Sequence, residues 1–279
     1  MLSTRQGIGI LMASLTALAA APTPAARQAF LKTPMMYLTF EVTTQGAKEF
    51  GGVPKDSLTD GAHRTNQSAR WVVPLSMAMP DTCPPSTQAI SMEEAMEQGR
   101  CIGWSAQPPD DALEGLSSGK PMDISKNPMF VPVEYSIDDV SRGRYRDRTD
   151  QAFGTTTRVS KGRGTVYAGL NGMLLCDTKR MTCDLGSFIL NFHDGADRTT
   201  VNTTSDVPGF EPTTESTEPS HLLITMSEAG LKKLVGFPFT LPEPSSVTAT
   251  ETKAETGDVV TLKMTLSSKP PAKPSPAGR

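Results

Sequence analysis

Histidine is scarce in this sequence, and several short motifs that mark common enzymes and metal sites are missing. The 279 residues include 3 histidines, His63, His193 and His221. There is no H-E-x-x-H of a zinc protease, no EF-hand loop and no glycine-rich phosphate loop. The sequence therefore predicts no metal and no cofactor. It favours a non-catalytic protein but leaves an enzyme open.

Aromatic residues are few, and the chain has no net positive charge. Aromatic residues make up 6% of the chain, and its formal net charge is −3 at pH 7. Proteins that bind nucleic acid neutralise its phosphates with Lys and Arg, and those that bind single strands also stack bases on aromatic rings. The composition therefore argues against nucleic acid as a partner. Any anion-binding function must come from a local group of basic residues.

No apolar run near the N-terminus is long enough to cross a membrane. The uncharged run at residues 7–20 is shorter than the roughly 20 residues that a spanning helix needs. It follows a short segment that contains Arg5 and ends in small residues suited to cleavage. These features predict a cleaved signal peptide at residues 1–19, then a leader or linker at residues 20–33. We expect a mature protein that does not span a membrane and is periplasmic or secreted.

The cysteines indicate disulfides. The chain has 4 of them, Cys83, Cys101, Cys176 and Cys183. In an oxidising compartment an even number of cysteines favours disulfide bonds, and neighbour pairing is the simplest of the three possible connectivities. It joins Cys83 to Cys101 and Cys176 to Cys183. Because the spacings do not fit the close cysteine pairs of a zinc site, two structural disulfides are predicted.

Apolar and polar residues alternate through much of the chain, which is the pattern of half-buried strands. The alternation is clear at residues 36–43, 131–138 and 259–266. Residues 34–267 are therefore predicted to form one mainly-β globular domain, either an antiparallel β-sandwich or an irregular barrel, in which the last strand could pair with the first. Polar and turn residues dominate residues 51–69, which predicts a long loop there.

The clearest predicted hairpin covers residues 167–192 and contains one cysteine pair. If Cys176 stands opposite Cys183, Leu170 faces Ile189 across the two strands. Both faces of this hairpin are apolar, which predicts a position in the centre of the fold.

Proline and capping residues predict where several elements end. Pro74 confines its strand to an edge or to a strand end, because proline cannot donate to a ladder. Ser91 and Glu94 form a capping box that predicts a short helix. A second short helix is predicted at residues 227–235. Residues 268–279 are rich in proline and lysine, which predicts a disordered tail.

A row of arginines is the main candidate for a binding site. Its members are Arg142, Arg144, Arg146 and Arg148. On a strand all of them point the same way, and the alternation of residues 131–138, carried forward, places them toward solvent. The following strand, residues 155–159, offers threonines and no carboxylate. One interpretation is a solvated face balanced by nearby acidic residues, and the other is a docking row for an anionic partner.

The docking row leads to the function that we expect from the sequence. It is a non-catalytic envelope accessory or binding protein, exported to the periplasm or secreted. Its partner would be an anionic envelope component, such as lipid phosphates, or an acidic protein. Guanidinium groups suit phosphates and carboxylates because their donors form a planar fork.

Two other functions stay open. His193 with a carboxylate such as Asp194 would suit a periplasmic hydrolase. Met77 and Met79 carry thioethers, which are ligands for copper(I), although core packing is the common role of methionine.

Overall fold

The computed structural model describes residues 25, 32–51, 58–78, 91–98, 100–106, 130–146, 152–193, 197–219, 226, 239–241 and 243–272. Most of these residues lie in strands. The strands are β1 (Met35–Gly51), β2 (Leu58–Ala78), β3 (Cys101–Ser105), β4 (Phe130–Arg146), β5 (Ala152–Asp177), β6 (Thr182–His193), β7 (Thr199–Ser205), β8 (Thr213–Thr217), β9 (Phe239–Thr240), β10 (Ser245–Thr252) and β11 (Val259–Ser267). One short helix, α1 (Met92–Glu97), lies between β2 and β3.

The described strands form one large antiparallel sheet. Its order is β10-β11-β1-β2-β3-β5-β6-β9, with β4 also between β2 and β5, and with β7 and β8 extending from β5. The last strand pairs with the first, as the alternation suggested, and Leu38 stands opposite Leu266. The mainly-β prediction is confirmed. A division into two sheets, as in the predicted sandwich, is not what the described strands form.

The length of β5 explains why a single sheet results. This strand has 26 residues. It pairs with β3 and β4 along one edge and with β6 and β7 along the other. Strands that a sandwich would divide between two sheets are thus joined to one ladder.

Pro74 lies inside an interior strand and not at the predicted edge or strand end. β3 and β4 lie one after the other between β2 and β5. The pairing of β2 with β4 ends at Trp71 opposite Val133, and its pairing with β3 starts at Ser76 opposite Ser105. Pro74 falls in the gap between these two ladders, where the missing N–H costs no ladder bond.

The β5–β6 hairpin has the predicted cysteine register but not the predicted register further out. Cys176 stands directly opposite Cys183. The register then shifts by one residue between the pairs Leu174–Leu185 and Gly172–Phe188, with the extra residue on β6, so that Leu170 faces Leu190 and not Ile189. Such a shift is a bulge, which adds one unpaired residue to a strand. The prediction assumed an uninterrupted ladder, and it is wrong beyond the bulge.

The described residues contain one disulfide, Cys176–Cys183, where two were predicted. The other predicted pair includes Cys101, which is buried at the start of β3, and Cys83, which lies outside the described residues. The Cys83–Cys101 pairing therefore stays a prediction.

Helix α1 begins where the capping residue predicts. The Glu94 backbone N–H donates to Ser91 Oγ at 3.1 Å, which satisfies one of the exposed donors of the first turn. The Glu94 carboxylate accepts from Gln98 Nε2 at 3.0 Å. Ala95 is buried and holds one side of the helix against the sheet.

Several predicted segments fall on residues whose structure is not described. The signal peptide at residues 1–19 and the second helix at residues 227–235 lie outside the described residues. Only three residues of the predicted leader, 20–33, are described. Residues 268–272 of the predicted tail are described and follow directly on β11, and the rest of it lies outside.

One hydrophobic cluster collects the buried side chains of the sheet. Its largest fully buried members are Trp104, Phe239, Met36, Leu38, Leu75, Leu174, Met181, Met264, Leu266, Val73, Val133 and Val166. They come from both ends and the middle of the strand order, so the sheet bends around a shared core. We call the side of the sheet that carries these residues the inner face, and the opposite side the outer face.

Candidate functional site

Strand β4 directs the first two arginines of the row to the outer face. Val131, Val133, Tyr135 and Ile137 are buried. Pro132 and Glu134, between them, are exposed. Arg142 and Arg144 have the same parity as Glu134 and are also exposed. Arg146 ends β4, and Arg148 lies outside the described residues.

The strands on either side of the arginine row differ in charge. On the β5 side, Arg142 faces Thr157 and Arg144 faces Thr155, so this neighbour supplies no carboxylate, in keeping with the sequence. On the β2 side, Arg144 stands opposite Asp60. The arginine row therefore has an acidic residue in register at one position, which the sequence alone did not reveal.

Other cations extend the arginine row across neighbouring strands of the outer face. Arg64 on β2 lies 3.4 Å from Asp138, measured from Nη2 to Oδ2. Lys161 on β5 lies 3.8 Å from the same carboxylate, from Nζ to Oδ1. Arg163, also on β5, is exposed. We call Arg64, Arg142, Arg144, Lys161 and Arg163 the basic face. Since the two ion pairs are exposed, each contributes only about 0–1 kcal/mol and can exchange for another anion.

A polar cluster lies on the inner face at the end of the sheet near the β10–β11 turn. His63 Nε2 lies 2.8 Å from Asp258 Oδ1. The Asp258 side chain is 1% exposed and that of His63 is 16% exposed. A buried carboxylate is costly unless a partner compensates it, and His63 supplies that partner.

Asp139 on β4 is the second carboxylate of this cluster, and it is half-buried whereas Asp258 is fully buried. It accepts hydrogen bonds from the Asn66 backbone N–H, at 3.1 Å, and from Gln67 Nε2. Burial raises the pKa of Asp139 above its ordinary value of 3.8, the two hydrogen bonds oppose the rise, and the nearby charges of Asp138 and Asp258 add to it. The ionised form is therefore less favourable here than in the unfolded chain.

Gly46 makes room for the Asp258 carboxylate. It lies on β1 directly opposite Thr65 of β2. A Cβ at this position would lie 2.9 Å from Asp258 Cα, closer than real Cβ contacts occur. The turn before β11 is closed by backbone hydrogen bonds, including Lys253 N–H to Asp258 O at 2.8 Å. Glycine at position 46 thus lets this turn seat Asp258 against the sheet.

The raised pKa of Asp139 predicts how replacing it with asparagine changes the pH dependence of stability. Between pH 3.8 and the raised folded value, the folded state binds more protons than the unfolded state, so Asp139 makes the free energy of unfolding fall as pH rises. In Asp139→Asn this contribution is gone. We therefore expect the variant's stability relative to the wild type to increase from pH 4 to pH 7 in urea denaturation.

Glu134→Gln is the matched control for that measurement. Glu134 is an exposed carboxylate on the outer face of the same strand. Asp139→Asn should change the pH dependence more than Glu134→Gln does, because burial acts on Asp139. A constant difference between Asp139→Asn and the wild type across this range would contradict the assignment.

Sequence reasoning did not find the pair of His63 and Asp258. The sequence predicts a loop at residues 51–69, but in the structure β2 starts at Leu58 and carries His63 within the sheet. The loop prediction is wrong from Leu58 onward because the inward residues at this end, such as Thr65 and Gln67, are polar as well as buried. They erase the alternation on which strand prediction depends.

The other predicted site residues are only partly described. His193 is the last residue of β6, and its possible partner Asp194 lies outside the described residues, as does His221. Met77 is 43% exposed on β2, and Met79 lies outside. The hydrolase and copper hypotheses stay untested. Residues 115–119 read G-L-S-S-G, which fits the G-x-S-x-G pattern of serine hydrolases, and they also lie outside.

Comparisons with known proteins suggest no function, so a functional assignment depends on the arrangement of the described side chains. No protein-family model matches the sequence, and neither the curated proteins nor the solved structures give a match. The described helix is too short to cross a membrane. Within the described residues, no group of three or more His, Cys, Asp and Glu side chains is arranged to hold a metal ion.

Proposed function

We propose that this protein is exported to the periplasm or secreted, and that it binds an anionic component of the cell envelope through the basic face. The observation that carries the proposal is the exposure of Arg142 and Arg144 beside Arg64, Lys161 and Arg163 on three adjacent strands. The whole chain has a net charge of −3, so this concentration of cations is local. Such a patch attracts anions whatever the sign of the whole protein.

The dimensions of the basic face suit a surface that carries several phosphates. Arg142 and Arg144 are two residues apart on a strand, which separates them by about 6.6 Å. β2, β4 and β5 together are about 10 Å wide, at a strand spacing of about 4.8 Å. Several cations can therefore contact different phosphates of a lipid layer at once. Thr155 and Thr157, opposite the arginines, add hydroxyl donors.

The balance of charge on this face supports binding over a neutralised surface. On β2, β4 and β5 the described outer face carries the carboxylates Glu134 and Asp138 beside the five cations, and Asp60 is in register opposite Arg144. Asp138 is shared between Arg64 and Lys161. Arg142 forms no ion pair with a described residue. The ion pairs of Arg64 and Lys161 are weak and share one carboxylate, so a phosphate can replace Asp138 as their partner.

The disulfide supports export. Cys176 and Cys183 are fully buried and bonded to each other. Structural disulfides form and persist in oxidising compartments and are rare in the cytosol. This agrees with the signal peptide expected from the sequence.

Removing the arginine row should abolish binding to anionic vesicles. We expect the variant Arg142→Gln, Arg144→Gln, Arg146→Gln, Arg148→Gln to lose about 4 kcal/mol of binding free energy, roughly a 1000-fold weaker partition, because each basic residue near an anionic membrane contributes about 1 kcal/mol. Sedimentation with vesicles of phosphatidylglycerol and phosphatidylcholine at low salt measures this. Raising the salt should weaken binding of the wild type.

The control changes the same amount of charge elsewhere. Lys179→Gln, Arg180→Gln, Lys263→Gln, Lys269→Gln replaces exposed cations away from the basic face. It should bind vesicles nearly as well as the wild type. Equal losses in both variants would show that net charge, and not this face, governs binding. Absence of binding by the wild type would refute the proposal and leave an acidic protein as the partner to test.

A further inference from the structure

His63 lies between a buried carboxylate and an exposed serine on the inner face. Asp258, on one side, is seated over β1 at Gly46. Ser141 of β4, on the other side, is directly paired with His63 in the β2–β4 ladder. Directly paired residues on adjacent strands have their Cβ atoms about 4.5–5.5 Å apart and their side chains on the same face. The spatial order is therefore carboxylate, imidazole, hydroxyl.

This order is the one that activates a serine. His63 Nε2 bonds Asp258 at 2.8 Å, so when Nε2 carries the proton, Nδ1 keeps its lone pair for a second partner. A buried carboxylate holds the imidazole in one tautomer and stabilises the imidazolium that forms. Ser141 is exposed, so a substrate can reach its hydroxyl. In the absence of substrate such hydrogen bonds are often long and close only in the complex.

The neighbouring strand supplies a cation beside the serine. Arg158 of β5 is directly paired with Ser141 and is exposed on the same face. On the far side of His63, Lys48 of β1 is in register and donates to the Glu255 carbonyl at 2.7 Å. A guanidinium beside the reacting carbon can stabilise negative charge that develops on the substrate oxygen.

We propose that Ser141, His63 and Asp258 form a hydrolytic site for small esters, with Ser141 as nucleophile, His63 as general base and Asp258 as positioning residue. The site lies on the opposite side of the sheet from the basic face and does not depend on the function proposed for that face. The two cations beside it, Lys48 and Arg158, favour esters that carry a negative group.

The reaction needs only water as a second reactant. Ser141 Oγ forms a bond to the ester carbon while its proton passes to His63 Nδ1. The bond to the alcohol then breaks, and the alcohol leaves with that proton. Water attacks the acyl-serine, again giving its proton to His63, and the acid leaves as serine is restored. Atoms and charges balance at each step, and no redox partner takes part.

Covalent labelling tests the nucleophile directly. A fluorophosphonate forms a phosphonyl ester with an activated serine and releases fluoride. We expect the purified full chain to be labelled at Ser141, as mass spectrometry of its peptides would show, and Ser141→Ala to lose the label. The hydrolysis of p-nitrophenyl acetate should fall about 100-fold or more in His63→Gln, because general base catalysis contributes at least that much. Asp258→Asn should slow labelling of Ser141 while circular dichroism shows the fold intact.

Ser68→Ala is the matched control. Ser68 is an exposed serine on the outer face of β2 and should neither be labelled nor affect the rate. Ser141→Cys keeps a nucleophile and should accumulate an acyl-enzyme with the same ester. The proposal is overturned if Ser141 of the wild type is not labelled. It is also overturned if Ser141 is labelled as fast in His63→Gln as in the wild type. If Asp258→Asn fails to fold, the labelling of the wild type and of His63→Gln still tests the proposal. Ser141 is exposed and His63 is partly exposed, so their replacement should leave the fold intact.

Discussion

Replacing Trp104 with alanine should remove about 3–5 kcal/mol from the free energy of unfolding. Trp104 is fully buried on β3, between Met77 of β2 and Leu174 of β5. Loss of the ring leaves a cavity at a position where three strands meet, and the strands cannot close it without breaking their ladders. A domain of this kind has about 5–15 kcal/mol of stability in total, so urea denaturation should show a much lower midpoint.

The second tryptophan provides a matched comparison. Trp104 Nε1 donates to the Thr33 carbonyl at 3.2 Å. Trp71 stacks on Phe40 with ring centroids 4.9 Å apart, and its Nε1 is buried without a partner among the described residues. Trp104→Phe loses a hydrogen bond, whereas Trp71→Phe removes a donor that has no hydrogen-bond partner among the described residues. Trp104→Phe should therefore cost about 1 kcal/mol more than Trp71→Phe. Equal costs would mean that the bond to Thr33 contributes nothing.

Strand positions could be predicted wherever one face of the sheet is apolar. β1, β4 and β11 bury apolar side chains at every second residue, and that period is visible in the sequence. The first part of β2 could not be predicted in this way. Its inward residues Thr65 and Gln67 are polar because they line the cluster around Asp258. A strand that contributes to a polar site loses the alternation that would identify it.

The number of sheets could not be predicted because it depends on how strands share their edges. β5 changes partners twice along its length, from β4 to β3 on one edge and from β7 to β6 on the other. Nothing local in its sequence marks where one partner ends and the next begins. The predicted hairpin with Cys176 opposite Cys183 succeeded because the two strands are consecutive and the turn between them is short.

At the candidate sites, too, contacts between strands that are distant in sequence could not be predicted. The direction of Arg142 and Arg144 followed from the parity of a single strand. The presence of Asp60 opposite Arg144 did not, since it depends on the pairing of β4 with β2, and Asp60 lies more than 80 residues before Arg144 in the chain. His63 and Asp258 are 195 residues apart in sequence. Their contact arises only because β1 pairs with both β2 and β11.

Gly46 is where this long-range arrangement should be most sensitive to a single side chain. Gly46→Val places a β-branched residue in a strand, which by propensity alone should stabilise it. The added Cβ would lie 2.9 Å from Asp258 Cα, however, and backbone cannot move aside as a side chain does. We expect a loss of about 3 kcal/mol or more in the free energy of unfolding, at the upper end of what overpacking costs.

Thr43→Val separates this clash from any general effect of valine in β1. Thr43 is exposed on the outer face of the same strand, and its replacement should change stability by less than about 0.5 kcal/mol. Since Gly46→Val also forces Asp258 away from His63, it should slow fluorophosphonate labelling of Ser141 under conditions where most of the protein is folded. A stable Gly46→Val variant would mean that the turn before β11 can shift outward. In that case Asp258 is held by His63 and not by the fit of the turn against Gly46.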